Sequence, residues 1–532
     1  MKKAKRWMAA ALATTLSAAM LAGCGGGGNT SGGSQASSSG GLDTDASQES
    51  GMTYNGQDVS EPVELVMYYI GDKPEDEDKV LEQINALLKE KINATLSLKS
   101  MSMSDYNTKY SLTLAGGENF DMIYTSTWAF YQSEANKGAF AQVTDEVIQN
   151  YMPLHQENQA EASWGQAKIG DKIYFVPGNM ANVSMNAVLI RGDLREKYGL
   201  DPIDSIDDLE AYYEAVVNDP ESGVQFPYAA SQNNAEGRYA MLFAGNDFVR
   251  IEGAIADYIT YKYSEDMTAD DLVWLYGTDE YLDYAKQMKE WADKGFWSKS
   301  AIANATDTKD AFINGTSASY IWNLGTVGAT ASQVEKEHPE WKPEIYDITP
   351  DAHRYFAAYT GDGVAVVANS KHQDRAFMAI DLLKFDPQLY DLVRYGIEGV
   401  HYEKTSDTTW LPAADAQKYP FGNGFSWGFK NSSFDLVRED QNKDQTAIGA
   451  KWTEEAVESP TAAFSFDDTN VKNELANLKS VYTQYIPLLD LGLVDDVEGT
   501  LADFQKQAEA AGLDKIMEEA KTQLTAYLET IQ

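Results

Sequence analysis

Gly424-Phe425-Ser426-Trp427-Gly428 has the G-x-S-x-G spacing of a nucleophile elbow. That spacing does chemistry only between a strand and a helix, with a histidine placed to take the serine proton. Here Pro420, Gly422 and Gly424 interrupt the approach, and all five histidines precede Ser426. A serine nucleophile is not expected. Asp440-Gln441-Asn442-Lys443-Asp444 supplies the first three alternating oxygens of a calcium loop. The sixth position is Gln445 rather than glycine and the twelfth is Lys451 rather than a bidentate glutamate, so a solvated polar loop is expected instead. No H-E-x-x-H helix and no phosphate loop occur. A glycosidase needs two carboxylates flanking a sugar bond. The 82 acidic residues supply many candidates, but no local motif pairs two of them. No catalytic residue, cofactor or metal is therefore assigned.

Cys24 is the only cysteine, at the end of Leu21-Ala22-Gly23-Cys24. Lys2, Lys3, Lys5 and Arg6 precede an apolar run from Met8 to Ala22, the charged start and short apolar core of a secretory signal. A cysteine just beyond the small-residue cleavage site resembles the lipobox of bacterial lipoproteins. The resemblance implies a signal peptide over 1–23, a lipid on Cys24, and a chain held at the extracellular face of the cell membrane of a Gram-positive bacterium. Residues 25–60 hold ten glycines, many serines and no positive charge, too little apolar surface to order a chain. As a coil they reach roughly 30–36 Å, and 24–60 is read as a tether.

Acids outnumber Lys and Arg 82 to 42, a net charge of −40. That balance excludes a phosphate-binding, nucleic-acid role, which needs cations to displace counterions. It also excludes electrostatic adhesion to an anionic membrane. No later segment is apolar for the eighteen or more residues of a spanning helix, which leaves the lipid as the membrane attachment. Without a second cysteine there is no disulfide, and stability must come from a large core. The chain is long enough for two lobes.

The elements that would position a site alternate. Val63–Ile70 reads as a strand, and Pro74 with Glu75 to Asp78 as a helix start. Val80, Leu81, Ile84, Leu87, Leu88 and Ile92 then recur at helical spacing. Strands follow at Ala94–Leu98 and Asp121–Tyr124, then at Ile173–Val176, Ala187–Ile190 and Val364–Ala368, with helices between. Such alternation predicts βαβ units and a largely parallel sheet. Beyond about 470 only helical patterns remain.

In α/β sheets a ligand sits beyond the carboxyl ends of the strands. That rule nominates Tyr69 and Asp72 after the first strand, and Ser126, Thr127 and Trp128 after the third.

Several segments in order carry a resemblance that spans most of 60–532. They include Phe120-Asp121-Met122-Ile123-Tyr124, then Lys168-Ile169-Gly170-Asp171-Lys172-Ile173-Tyr174-Phe175-Val176-Pro177, then Arg191 to Leu200. Ala311-Phe312-Ile313-Asn314-Gly315, Gly361-Asp362-Gly363-Val364-Ala365-Val366 and Tyr395 to Val400 complete the set. Together they resemble family 1 extracellular solute-binding proteins, the sugar receptors of ABC importers. The stretch from Phe464 resembles the C-terminal domain of uncharacterised function in LipO-like lipoproteins. Residues 231–275 and 400–460 have no counterpart in that pattern and are candidates to reshape the site.

The resemblance implies an α/β, periplasmic-binding-protein-like two-lobed fold of the Venus-flytrap type II, with a helical C-terminal extension. Lobe 1 is expected over 61–177 and 360–412, lobe 2 over 178–359 and 413–463, and 464–532 packed on the lobes. Pro177-Gly178-Asn179 suits the first crossing, with Pro fixing one φ and Gly relaxing the next; a second is expected near Tyr359 to Gly363. The resemblance places sugar-stacking aromatics at Trp128, Trp322 and Trp427, with Trp164 a further candidate and core packing the competing role for each ring. Asn179 and Asn323 neighbour these positions, and Asp362 and Glu398 are candidates to accept hydroxyl hydrogen bonds. The implied role is a non-enzymatic, monomeric receptor that captures an oligosaccharide by hinge closure and hands it to ABC permease subunits. The same fold holding a peptide or another solute, and an extracellular glycan-acting enzyme, are the alternatives.

Overall fold

The computed structural model describes residues 51–531, apart from 182, 184, 252–254, 265 and 465. Cys24 and the signal segment lie outside the described residues. Nine strands build the two main sheets: β1 (Val63–Ile70), β2 (Ala94–Met101), β3 (Met122–Thr125), β4 (Val176–Pro177), β5 (Asn186–Arg191), β6 (Phe226–Tyr228), β7 (Ser317–Asn323), β8 (Pro343–Tyr346) and β9 (Gly363–Val366). Lobe 1 has the order β2-β1-β3-β9-β4, and lobe 2 the order β6-β7-β5-β8.

The sheets are mixed, not largely parallel. β1 runs parallel to β2 and β3, and β6 to β7. β9 runs against β3 and β4, and β5 against β7 and β8. The reason is the route of the chain. β5 and β9 are the strands that come into a lobe from a crossing, so they start where their neighbours end.

Period-2 burial in β1 sends Leu65, Met67 and Tyr69 into the lobe 1 core. The helix Glu77–Ile92 buries Val80, Ile84, Leu88 and Ile92 on the same core, and Asn93 closes it in the left-handed region. The helix Gln373–Phe385 is buried on nearly every side. A helix buried all round must hold partners for its charged residues. Asp381 and Lys384 have them, as described below.

Two expected boundaries move. Residues 51–60 are not part of a tether. Asn55 and Gly56 take positive φ of 48° and 79°, closing a two-residue hairpin between Thr53–Tyr54 and Gln57–Asp58. Val59 is fully buried in lobe 1, and the Tyr54 hydroxyl donates to Asp381 Oδ2 at 2.6 Å.

Residues from 413 to about 431 pack with lobe 1 rather than lobe 2. Phe425 and Phe429 join its core, and Gly424 lies against the Ile70 carbonyl so closely that no Cβ fits. The chain changes lobes only before the helix Lys443–Glu455, whose Trp452 is buried in lobe 2.

The C-terminal helices Lys472–Asp490, Val497–Ala511 and Leu513–Ile531 share one core with lobe 2. The two unplaced regions also form sheets. Phe248–Arg250, Ile259–Lys262 and Leu272–Trp274 join lobe 2, while Tyr402–Lys404, Thr409–Pro412 and Val437–Arg438 form a sheet around Tyr395 and Trp410. No helix among the described residues is long and apolar enough to cross a membrane.

Candidate ligand-binding cleft

Two chain crossings lie side by side, with the segment 430–432 of lobe 1 against them. Gly178 N–H donates to the carbonyls of Tyr359 at 3.2 Å and Asp362 at 2.7 Å. Asn179 N–H donates to Lys430 O at 2.8 Å, and Asn179 O accepts from Ser432 N–H at 3.1 Å. Glycine at 178 eases a close approach rather than supplying an unusual φ. A Cβ there would stand 3.3 and 3.4 Å from the Tyr359 and Asp362 oxygens.

A cavity of about 560 Å³ opens beside these crossings, lined from both lobes. From lobe 1, Thr127 and Trp128 follow β3. Thr127 N–H and Oγ1 both donate to Thr360 O, at 3.0 and 3.2 Å. The Trp128 indole N–H donates to Gly361 O at 2.7 Å, yet the ring is 47% exposed. Its edge is pinned and its face is free, the arrangement of a stacking platform. Asp362 accepts from the Tyr124 hydroxyl and from Lys430 Nζ, each at 2.6 Å.

From lobe 2, Trp322 and Asn323 end β7, and Phe243, Asp247, Phe248 and Arg250 come from the 231–275 region. Tyr239 lines the same wall and donates its hydroxyl to the buried Asp490 at 2.7 Å. Tyr355 and His353 complete the rim. The Tyr355 hydroxyl is buried with no hydrogen-bond partner among the described residues, and His353 Nδ1 lies 2.9 Å from Asp247 Oδ1.

The formally charged groups lining the cavity are Asp247 and Asp362 against Arg250 and Lys430. Within a chain of net charge −40 the cleft is thus balanced. Aromatic faces with balanced polar groups bind a polyhydroxylated, uncharged molecule better than a cation.

Residues 74–388 match the family described as bacterial extracellular solute-binding protein. The chain belongs to that family. Residues 460–529 match a domain of unknown function, DUF3502. The chain is 23% identical over 488 residues to the carbohydrate ABC transporter substrate-binding protein of Streptococcus pneumoniae serotype 4, covering 90% of this chain and 94% of that relative. Among solved structures it is similar to the N-glycan transport solute-binding protein NgtS of S. pneumoniae, with a TM-score of 0.71 at 22% identity over 89% of this chain and all of that one. It is also similar to the S. pneumoniae substrate-binding protein FusA in complex with kestose, with a TM-score of 0.62 at 15% identity over 88% and 100%. At these identities the solved structures establish the two-lobed fold.

Of the residues nominated by sequence, the cleft gathers Thr127, Trp128, Trp322, Asn323 and Asp362. Asn323 is partly engaged, since its Oδ1 accepts from Thr326 N–H at 2.9 Å as the cap of the next helix. The others lie elsewhere. Tyr69 is buried in the lobe 1 core, donating its hydroxyl to Glu77 and packing on Phe425. Asp72 is exposed on the turn after β1, and Ser126 is buried behind the rim. Trp164 packs on the lobe 1 core beside His155. Asn179 is a buried brace, accepting from Ala160 N–H and bonding Asn431 at 3.1 Å. Glu398 is exposed on the loop before Tyr402. Trp427 stands behind Lys430, which lies 5.8 Å from its ring centre, and donates its own N–H to Gly422 O.

The catalytic look-alikes also resolve. Ser426 is buried, donates to Asn423 O at 2.8 Å and lies 3.2 Å from an Arg394 donor, partners that hold a hydroxyl rather than deprotonate it. Asp440 is gripped by Arg438, with Lys336 at 3.4 Å, and Asn442 caps the helix Lys443–Glu455.

Proposed function

We propose that this protein is the solute receptor of an ABC importer for oligosaccharides. The observation that carries the reading is the cleft, where Trp128 and Trp322 face one cavity from opposite lobes and the lining charges balance. The pneumococcal relative is described as a carbohydrate ABC transporter substrate-binding protein, and NgtS has been solved in complex with Man5GlcNAc. Both support a sugar over a cationic peptide, which a −40 chain would otherwise suit. The ligand docks on one lobe, the crossings flex, and the second lobe closes over it. No covalent step is needed, and no catalytic residue is assigned.

Lipidation at Cys24 holds the receptor at the extracellular face of the membrane, beside the permease subunits that take up its cargo. Tethering then replaces free diffusion by a high local concentration. Replacing Cys24 by serine should release the protein into the culture medium, whereas retention on the membrane would remove the anchor from this reading.

The test of the ligand class is titration of the protein without its first 24 residues against neutral oligosaccharides, acidic glycans and basic peptides. Neutral sugars should quench or enhance tryptophan fluorescence and raise the melting temperature. If peptides do so and no sugar does, the carbohydrate assignment fails. Each of Trp128→Ala and Trp322→Ala should weaken sugar binding by about two- to tenfold, the size of a stacking contribution.

A further inference from the structure

Trp322 lines two cavities, not one. Beyond the cleft, on the side away from the crossings, lies a second basin of about 380 Å³ walled by Asn233, Thr306, Asp307, Thr308, Tyr320 and the Trp322 ring. Two of these residues are buried almost completely, Tyr320 at 3% and Thr308 at 5% exposure. Neither side-chain hydroxyl bonds another described residue, and neither oxygen is sealed from solvent, so both open into the basin as free donors and acceptors. Tyr320 and Trp322 are two residues apart on β7 and therefore on one face of the strand. They present a hydroxyl and an aromatic ring to the same space. Asp307 and Lys309 balance each other in charge at its edge.

Resting on the carbohydrate reading of the cleft, we infer that this basin is a second sugar subsite and that the ligand spans the Trp322 ring. Units on one side of the ring then lie between the lobes, while a further unit or branch takes hydrogen bonds from Tyr320, Thr308 and Asn233. Each cavity lies within the about 300–1,000 Å³ of ordinary small-ligand sites. Two such spaces joined at a ring suit a ligand built of repeated units, not a monosaccharide. The reading also gives partners to two open hydroxyls, whereas the Tyr213 hydroxyl of the same lobe is already paired with Ser319 at 2.7 Å.

The test compares ligand length with basin chemistry. Manno-, fructo- and malto-oligosaccharides from disaccharide to hexasaccharide are titrated by calorimetry into the mature wild type, the double variant Tyr320→Phe/Thr308→Val, and Thr306→Trp, which fills the basin from its exposed rim. In the series that binds, wild-type affinity should rise with length. The double variant should lose about two- to tenfold for the longer members, one or two neutral hydrogen bonds, and leave the disaccharide unchanged. Thr306→Trp should flatten the length dependence, and circular dichroism and melting confirm that both variants fold. Affinity independent of length, or equal losses for short and long sugars, would overturn the subsite while leaving the cleft assignment standing. Binding of no member of any series would bring down the carbohydrate reading and the subsite with it.

Discussion

Each lobe buries an ionisable cluster behind the cleft, and the two clusters do different work. In lobe 1, Asp381 accepts from the Tyr54 hydroxyl, from the Leu154 and His155 backbone N–H groups, and from the His155 ring at 2.7 Å. One turn along the same helix, Lys384 donates to Pro177 O, at the start of the first crossing. In lobe 2, Asp490 at the end of the helix Lys472–Asp490 accepts from Tyr239 at 2.7 Å and from Tyr281 at 2.9 Å, with the buried Arg238 nearby. The first cluster braces the hinge and touches no residue of the cavity wall except through it. The second holds Tyr239, which is itself part of the wall. Side chains remote in sequence thus reach the cleft by two routes, one through backbone position and one through a lining side chain. The second route also gives the domain of unknown function a physical task, buttressing the cleft wall of lobe 2.

Removing either acid is the largest disruption available. Asp381→Ala strands two backbone N–H groups, a phenol and an imidazole, while Asp490→Ala strands two phenols and leaves Arg238 without its countercharge. Loss of one partner from a buried charged set costs about 3–5 kcal/mol, so both variants should unfold at clearly lower urea. The comparison is sharpened by ligand. At temperatures where both variants are folded, Asp490→Ala should also weaken sugar binding, because Tyr239 is released, and Asp381→Ala should not. Equal binding losses would mean that the two clusters are not distinct in function.

The clusters should also respond to pH with opposite sign. Burial pushes Asp490 up to about 6 from an ordinary carboxylate value, so the folded state holds a proton that the unfolded chain releases. That contribution is complete below about pH 4 and is lost as pH rises through 6. Burial pushes His155 down to about 4, so its contribution is lost as pH falls from 6.5 toward 4. Measured against Asp490→Asn, which does not titrate, wild-type stability should fall by about 2–3 kcal/mol between pH 4 and pH 7. A difference that stays flat over that range would remove the carboxyl from the buried set.

Much of this was legible in the sequence, and the failures have definite causes. The amphipathic helix ending at Ile92 and the strands at 63, 94 and 122 carry strong periodicity. The rule that ligands meet strand ends picked Thr127 and Trp128, which line the cleft. The same rule misplaced Tyr69, because it counts distance along a strand and ignores the period of two that turns Leu65, Met67 and Tyr69 inward. Asn55-Gly56 is a hairpin signal hidden in a glycine- and serine-rich stretch whose composition argued for a coil. The wall residues Tyr239, Phe243, Phe248, Arg250 and Tyr355 belong to an inserted region and a crossing. No periodic pattern there separates a ring that lines a cavity from one that fills a core. Asp490, one acid among 82, had no local feature to mark it.

The smallest effect tests the hinge side of the comparison. Burial holds Lys384 down to about 7, far below an ordinary lysine, so near neutral pH its amine is only partly charged. Lys384→Met keeps an unbranched chain of nearly the same length, one atom shorter, and removes the amine. The Pro177 carbonyl loses one donor but keeps Gln159, whose Nε2 lies 3.4 Å away. The lost hydrogen bond costs about 1 kcal/mol, and the variant no longer has to bury a group that the unfolded chain protonates up to pH 10.5. The wild type carries that penalty in full below pH 7 and sheds it as pH rises toward 10.5. Lys384→Met should therefore match or exceed wild-type stability at pH 6 and fall behind it by about 1 kcal/mol near pH 10. Urea unfolding at the two pH values checks the crossover. If the variant is less stable at both by the same amount, Lys384 acts as an ordinary packed donor. The lobe 1 cluster would then owe its hold on the hinge to Asp381 alone.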